Sequence, residues 1–451
     1  VYLPARIVGV GEVAAEVYAA RLLAPPRGHG DELGHGEHVL ELPSAAEVEL
    51  AVHHVAAPEV DVAFGLAEEL VASVAEYANP GIIDAIEATH ARLGAPAVEP
   101  LLRALEGAER TRQRLSAARV LGMLLPRLDA GEGAVAQRAI QRGLELLSAE
   151  FPDRPELVRA LGRMGASPAV SPADVARLAT TLRGLILDKA LTHAALDGLA
   201  HLCLSPEADA ALKVDLADFF ARLLRRDLPD IEATVYAAEG NEVGYAFGSD
   251  VLAYTEMVPS IIQGLRHIAV TSAGVLRQAA LDHLLDAWRN VADGTLQLGP
   301  GNTQQLLDAL HAIGSLPDVE AKQRDIIVEA VALRHDFLPT RRVLAELIVA
   351  AGDSMAARAA ALADSLLRRA AAERELSPSE EAILLGALVR LATAASLGPQ
   401  GERLRERTVV AVSDAEKRGL EAAPGLLDTL RASPAIPERL KSRLRARQAH
   451  R

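Results

Sequence analysis

Residues 95–107 read APAVEPLLRALEG, and residues 116–125 read SAARVLGMLL. Gly94 closes the helix before the first stretch, which is itself followed by a longer helix that ends near Leu125-Pro126. Working outward, residues 58–78 place Val60, Phe64, Ala67, Leu70, Val74 and Tyr77 three and four apart, which is one helical face. Asn79-Pro80-Gly81 stops that helix. The same rhythm of two helices, a turn and two more helices runs to the end of the chain. No strong alternating strand pattern occurs past residue 45.

The helix starts are marked chemically. Ser44 with Glu47, and Ser377-Pro378 with Glu380, read as capping boxes, in which a serine oxygen accepts from a free N–H of the first turn. Ser171-Pro172 with Asp174 and Ser205-Pro206 read similarly. The expected pairs are 82–93 with 97–106, 109–126 with 134–149, 155–164 with 172–187, 189–203 with 206–226, and 250–271 with 273–292. They continue as 303–314 with 318–335, 339–351 with 354–374, 378–396 with 401–419, and 424–432 with 436–448. Successive pairs start mostly ~35–45 residues apart, within the range of helical repeats. In 378–397, Leu384, Ala387, Leu388 and Leu391 form one stripe while Ile383, Leu385 and Val389 cover other faces. A helix apolar nearly all round is buried on several sides.

The small–Pro–small–Val–x–Pro–Leu–Leu opening at Ala95 and the Ala-Ala-Arg-x-Leu-Gly of 117–122 resemble a unit of the HEAT-repeat family. The unit at 95–125 carries the motif, and the rest of the chain resembles the family in period and helix pairing. The resemblance implies an all-α fold, a right-handed α-α superhelix of the HEAT/ARM-like solenoid kind, whose general role is to present a curved surface to other proteins. The expected organisation is an irregular or β-containing N-terminal segment at 1–43, then the solenoid at 44–451, with breaks at 239–250 and 293–302. Tetratricopeptide and pentatricopeptide arrays fit less well. Their aromatic signature positions need more than the 6 Phe, 6 Tyr and 1 Trp present.

Composition excludes several classes. The 451 residues are 50% hydrophobic, enough apolar content to drive collapse. Cys203 alone cannot build a disulfide scaffold. No run approaches the ~18–20 apolar residues that cross a bilayer. The apolar content is Ala, Leu and Val, which favour closely packed helices. Of 47 basic residues five are lysines, an arginine excess that reads as the codon bias of a GC-rich, bacterial genome. The formal charge of −14 disfavours nucleic acid or anionic membrane as the main partner. The lone cysteine and the lack of a secretory pattern fit a cytoplasmic location. The first residue is Val and not Met, which fits a trimmed or processed chain.

Three groups of residues are candidates for chemistry or contact. The tract GHGDELGHGEH (28–38) offers His29, His35 and His38 beside carboxylates, donors that suit zinc or another transition metal; the alternative is a solvated glycine-rich loop. Gly9-Val10-Gly11-Glu12-Val13-Ala14 resembles a dinucleotide fingerprint. No β-α-β alternation follows it, and Glu12 would repel a diphosphate, so no cofactor is expected. Partner contacts are expected at Tyr245 and Phe247 in the polar, aromatic stretch 239–250, at Trp288, and at Arg439, Arg443 and Arg447 of the basic C-terminus. The helical histidines read as partly buried, hydrogen-bonded residues.

The expected function is a non-enzymatic scaffold or adaptor that presents a mostly acidic, concave helical surface to a protein or peptide partner, with release by proteolysis as a variant. Nucleic-acid binding through local arginine patches (Arg110, Arg112, Arg114 and Arg119; Arg222, Arg225 and Arg226; Arg341 and Arg342) and metal binding at 29–38 are the alternatives.

Overall fold

The computed structural model describes residues 93–107, 111–148, 154–188, 190–225, 227, 246–334, 337–351, 356–372, 376–394 and 400–449. The segment 1–43 and the helix expected at 82–93, save its last residue, lie outside them. The described residues contain helices and turns and no strand. They divide between His267 and Ile268 into two units.

The first unit holds α1 (Val98–Gly107), α2 (Thr111–Leu124), α3 (Gly133–Ser148), α4 (Arg154–Met164), α5 (Pro172–Leu185), α6 (Thr192–Leu202), α7 (Ala210–Leu224) and most of α8 (Ala246–Thr271). Helices α2, α4 and α6 pack side by side, with α1 against α2, α3 against α4 and α5 against α6. The helix pairs are therefore α1/α2, α3/α4 and α5/α6. The sequence-based pairing of 109–126 with 134–149, and of 155–164 with 172–187, was one helix out of phase. Connections within a pair span three to six residues, while those from α2 to α3 and α4 to α5 span eight and seven.

The α2–α4–α6 layer is built from small side chains. Ala117, Ala118, Val120, Leu121 and Leu124 of α2 are buried, as are Leu157, Val158 and Leu161 of α4 and Ala195, Leu196 and Leu199 of α6. Burying each leucine contributes about 1.5–3 kcal/mol. Gly122 faces Ala160, where a Cβ would lie 3.3 Å from the Ala160 Cα. Gly162 faces Gly198 so closely that a Cβ there would fall on the Gly198 backbone. The motif Arg119-x-Leu121-Gly122 recurs as Arg159-x-Leu161-Gly162, so each glycine sits where one layer helix meets the next. Ion pairs tie the other helices together, Glu106–Arg142 at 2.6 Å from α1 to α3 and Arg183–Asp215 from α5 to α7. Such half-exposed pairs contribute about 0–1 kcal/mol each.

The second unit begins with the last turn of α8 and holds α9 (Gly274–Asp293), α10 (Pro300–Gly314), α11 (Ala321–Ala332), α12 (Leu338–Ala351), α13 (Ala356–Ala372), α14 (Pro378–Thr393), α15 (Gln400–Lys417), α16 (Ala423–Ala432) and α17 (Glu438–Ala449). Here α10, α12, α14 and α16 succeed one another in one layer, while α9 packs on α11 and α13 on α15. Helix α14 touches α12, α13, α15 and α16, which accounts for its all-round apolar surface. Its start is the expected capping box: Ser377 Oγ accepts from the Glu380 N–H at 3.3 Å, and the Glu380 carboxylate accepts from the Ser377 N–H at 2.9 Å.

Three boundaries differ from expectation. The break at 293–302 shrinks to 294–299, because Gly294 ends α9 in the left-handed region (φ 83°) and Pro300 opens α10. Of the break at 239–250, residues 246–250 belong to α8. Ser205 caps a turn and not a helix; α7 starts four residues after Pro206, where the Asp209 carboxylate accepts from the Leu212 N–H at 2.7 Å.

Arginines finish several helices. The last carbonyls of a helix lack intrahelical donors. The Arg405 guanidinium, buried, donates to the Ala392 and Ala394 carbonyls at 3.0 Å each, closing α14 from α15. Arg324 does the same for Gly314 (2.9 Å) and Leu316 (3.0 Å), and Arg114 for Leu105 (3.0 Å) and Glu106 (3.3 Å). Arg277 donates to Ala269 at 3.0 Å and to the Asp318 carboxylate at 2.8 Å. A planar fork of N–H groups reaches two acceptors at once, which a lysine cannot do in that geometry.

Candidate interaction groove

Helices α15 and α17 owe their seating to one stripe each. On α15 Leu404, Thr408, Val412 and Ala415 are buried, three and four residues apart, with Val409 beside them. On α17 the stripe is Leu440 and Leu444, one turn apart. Val410 falls off the α15 stripe and stays 54% exposed. Together with α13 and α14 these helices border a groove of about 600 Å³, whose apolar lining includes Leu367, Leu385, Val410, Leu440 and Leu444.

The charges around the groove are mostly matched. Glu381 pairs with Arg418, and Arg407 with Asp364. Glu406 and Glu402 share Arg439 at 2.7 and 2.8 Å, and Asp414 pairs with Lys417 at 2.8 Å. Arg443 lines the groove, is exposed, and has no carboxylate opposite it among the described residues; its neighbour Lys441 has none either.

The residues singled out from the sequence fare differently. His29, His35, His38 and Tyr245 lie outside the described residues, and so does the 28–38 tract. Phe247 stands in the first turn of α8. Trp288 is a correction: it is wholly buried on α9, and its indole N–H donates to the Ala330 carbonyl of α11 at 2.9 Å. An aromatic ring flanked by Leu281, Leu284 and Leu285 is core, so it presents no surface to a partner. Arg443 lines the groove, Arg439 pairs with Glu406 of its lining and with Glu402, and Arg447 lies further along α17.

The fold takes up three of the patch arginines, while Arg222, Arg225 and Arg342 stay exposed and Arg110 and Arg226 lie outside the described residues. Arg114 caps α1, Arg119 reaches Glu156 at 3.8 Å, and Arg341 is buried. Of the helical histidines, His90 and His335 lie outside the described residues, and several of the others are engaged. His267 Nδ1 donates to the Ala200 carbonyl at 2.7 Å, and burial holds its pKa below the usual 6.5. His311 approaches Glu346 at 3.0 Å, and His193 approaches Glu256 at 3.4 Å. Burial pushes the Cys203 thiol up to about 12, which leaves it protonated and unreactive at neutral pH. Burial also lowers the pKa of Lys213. Among the described residues no three His, Cys, Asp or Glu side chains converge to hold a metal, and no helix is long and apolar enough to cross a membrane.

Sequence reasoning reached Arg439 and Arg443 through the basic run at the C-terminus. It missed Val410, whose signal is an apolar residue off the 404–408–412–415 stripe of α15.

The architecture is HEAT-like. No family model matches the chain, and no curated protein sequence matches it. Among solved structures it is similar to Kap95p bound to RanGDP (13% identity, 86% of this chain and 54% of that one, TM-score 0.37). It is also similar to the Kap95:Nup1 complex (12%, 87% and 52%, TM-score 0.42) and to importin beta (12%, 90% and 64%, TM-score 0.31). The chain spans about half the length of the two Kap95 chains. The HEAT-like assignment rests on the helix packing above and not on these likenesses.

Proposed function

We propose that this chain is a scaffold that holds a protein or peptide partner on its helical surface. The observation that carries the reading is the groove beside α15 and α17, where Val410 stays exposed on a helix whose Leu404, Val409, Val412 and Ala415 are committed to the core. The leucines beneath it are already buried, so Val410 is the apolar surface that a partner would cover. The solved Kap95 structures, with RanGDP and with Nup1, are of proteins in complexes with other proteins.

The acidic balance of the sequence is concentrated in residues 1–92, with fifteen carboxylates against four arginines. A basic partner would be drawn to that part of the chain, while the groove offers a different chemistry. In the variant with release by proteolysis, the cut falls within 239–245, N-terminal to α8, and limited digestion of the bound and free chain reads it out.

The test is affinity capture from the native host with the wild-type chain and with Val410→Asp. A protein retained by the wild type and lost on the variant supports the reading. An identical retained set on both overturns the groove as the contact surface. Val410 is exposed, so the variant keeps the core intact.

A further inference from the structure

We infer that the groove takes an amphipathic helical segment of another protein that carries glutamates or aspartates beside its apolar anchor. This rests on the scaffold reading above and names the chemistry of its partner.

Size sets the first limit. A space of about 600 Å³ holds a few side chains and not a folded domain, so the occupant inserts a short segment. The walls are helices, and α15 alone runs 18 residues, about 27 Å at the usual rise. A helix laid into a helical groove meets it through anchors three and four residues apart. Val410 is the apolar contact such an anchor would cover.

Charge sets the second limit. The carboxylates of the lining are already answered from within the chain, Glu381 by Arg418, Glu406 by Arg439 and Asp414 by Lys417. A basic segment would have to displace those partners to gain anything. The charge left over in the lining is the Arg443 guanidinium. The sequence continues the bias with Arg445 and Arg447, and Arg445 is answered by Glu438 at 2.9 Å. An incoming carboxylate meets an uncommitted donor fork, the geometry in which arginine binds best. Duplex nucleic acid fits worse, because it offers no apolar anchor for Val410.

The test uses the full chain and three labelled 18-residue helical peptides with one shared leucine face. Their flanking positions carry glutamate, glutamine or lysine. Fluorescence anisotropy is expected to rank glutamate first, at least tenfold tighter than glutamine, with the gap closing at high salt. Arg443→Glu is expected to reverse the order in favour of lysine, and Val410→Asp to abolish all three. Equal binding of the glutamate and glutamine peptides, or preference of the wild type for lysine, overturns the acidic partner while leaving the groove as a binding surface. Failure of all three peptides on the wild type overturns the groove itself. Displacement of the glutamate peptide by duplex DNA, or a dimer that Val410→Asp dissolves, assigns the surface to another occupant and overturns the inference.

Discussion

Gly162 and Gly198 face each other across α4 and α6, yet the two positions are not equivalent. A methyl on Gly162 lands on the Gly198 backbone, which has no flexible end to move aside. A methyl on Gly198 meets the Val158 carbonyl oxygen at 3.1 Å and the Leu182 methyl groups at 3.3 and 3.4 Å. Those contacts are tight, but a leucine can rotate. Carbon atoms pack at about 3.5–4.0 Å, so Gly162→Ala must drive the two helices apart by an appreciable fraction of an ångström or more. Overpacking of this kind costs about 1–3 kcal/mol, at the upper end when backbone must move. Alanine returns up to about 1 kcal/mol in helix propensity. The net expectation is a loss of about 2 kcal/mol for Gly162→Ala and a change within about 1 kcal/mol for Gly198→Ala. For a unit of this size that loss lowers the melting temperature by about 4–8 °C. Gly184, at the exposed end of α5 with nothing near it, is the control, and Gly184→Ala should stabilise slightly. Urea unfolding followed by circular dichroism measures all three. A Gly162→Ala variant as stable as wild type, or a Gly198→Ala variant that loses more than Gly162→Ala, refutes the close-contact reasoning.

Other outcomes follow from the same structure. Arg405→Ala removes charge-assisted bonds to two carbonyls at the end of α14 and should lose about 3 kcal/mol, a loss that salt does not diminish; a wild-type urea midpoint contradicts it. Trp288→Phe both shrinks a wholly buried ring and leaves the Ala330 carbonyl without its donor, so it should lose at least about 1–3 kcal/mol; an unchanged midpoint would contradict both contributions. The His267 imidazole is harder to protonate folded than unfolded, so as pH falls below 6.5 the unfolded chain binds the extra proton and stability drops. The urea midpoint of the wild type should therefore fall more steeply there than that of His267→Gln, and parallel curves would exclude the linkage. Cys203 should resist a thiol reagent in the native chain and react once unfolded. Between pH 9.0 and about 12 its raised pKa should erode stability, because only the unfolded chain has released the proton.

Helix positions were legible because local chemistry writes them: Ser377 with Glu380 and Pro172 after Ser171 each mark a start that the chain obeys. The burial of α14 on several sides was legible from Leu384, Leu385, Leu388 and Val389, which leave no polar face broad enough for solvent. The pairing phase was not. Helices on either side of a turn have similar apolar stripes, and only the packed faces decide which neighbour wins. The arginine caps were hidden because their acceptors are backbone carbonyls eight to thirteen residues away, which no side-chain spacing records. The Arg-x-Leu-Gly recurrence was visible in principle, though its meaning depends on Gly198, which lacks the rest of the motif. At the groove the basic run pointed to Arg443, but its lack of a partner depends on where Arg418, Arg439 and Lys417 spend their own charges.

The account's central claim, that a partner segment seats on α15 and α17, is tested most directly by hydrogen exchange of the full chain with and without the glutamate-flanked peptide. It predicts slowed exchange in α15 and α17, with α2, α4 and α6 unchanged. Protection confined to the first unit, with α15 and α17 exchanging as in the free chain, would contradict it.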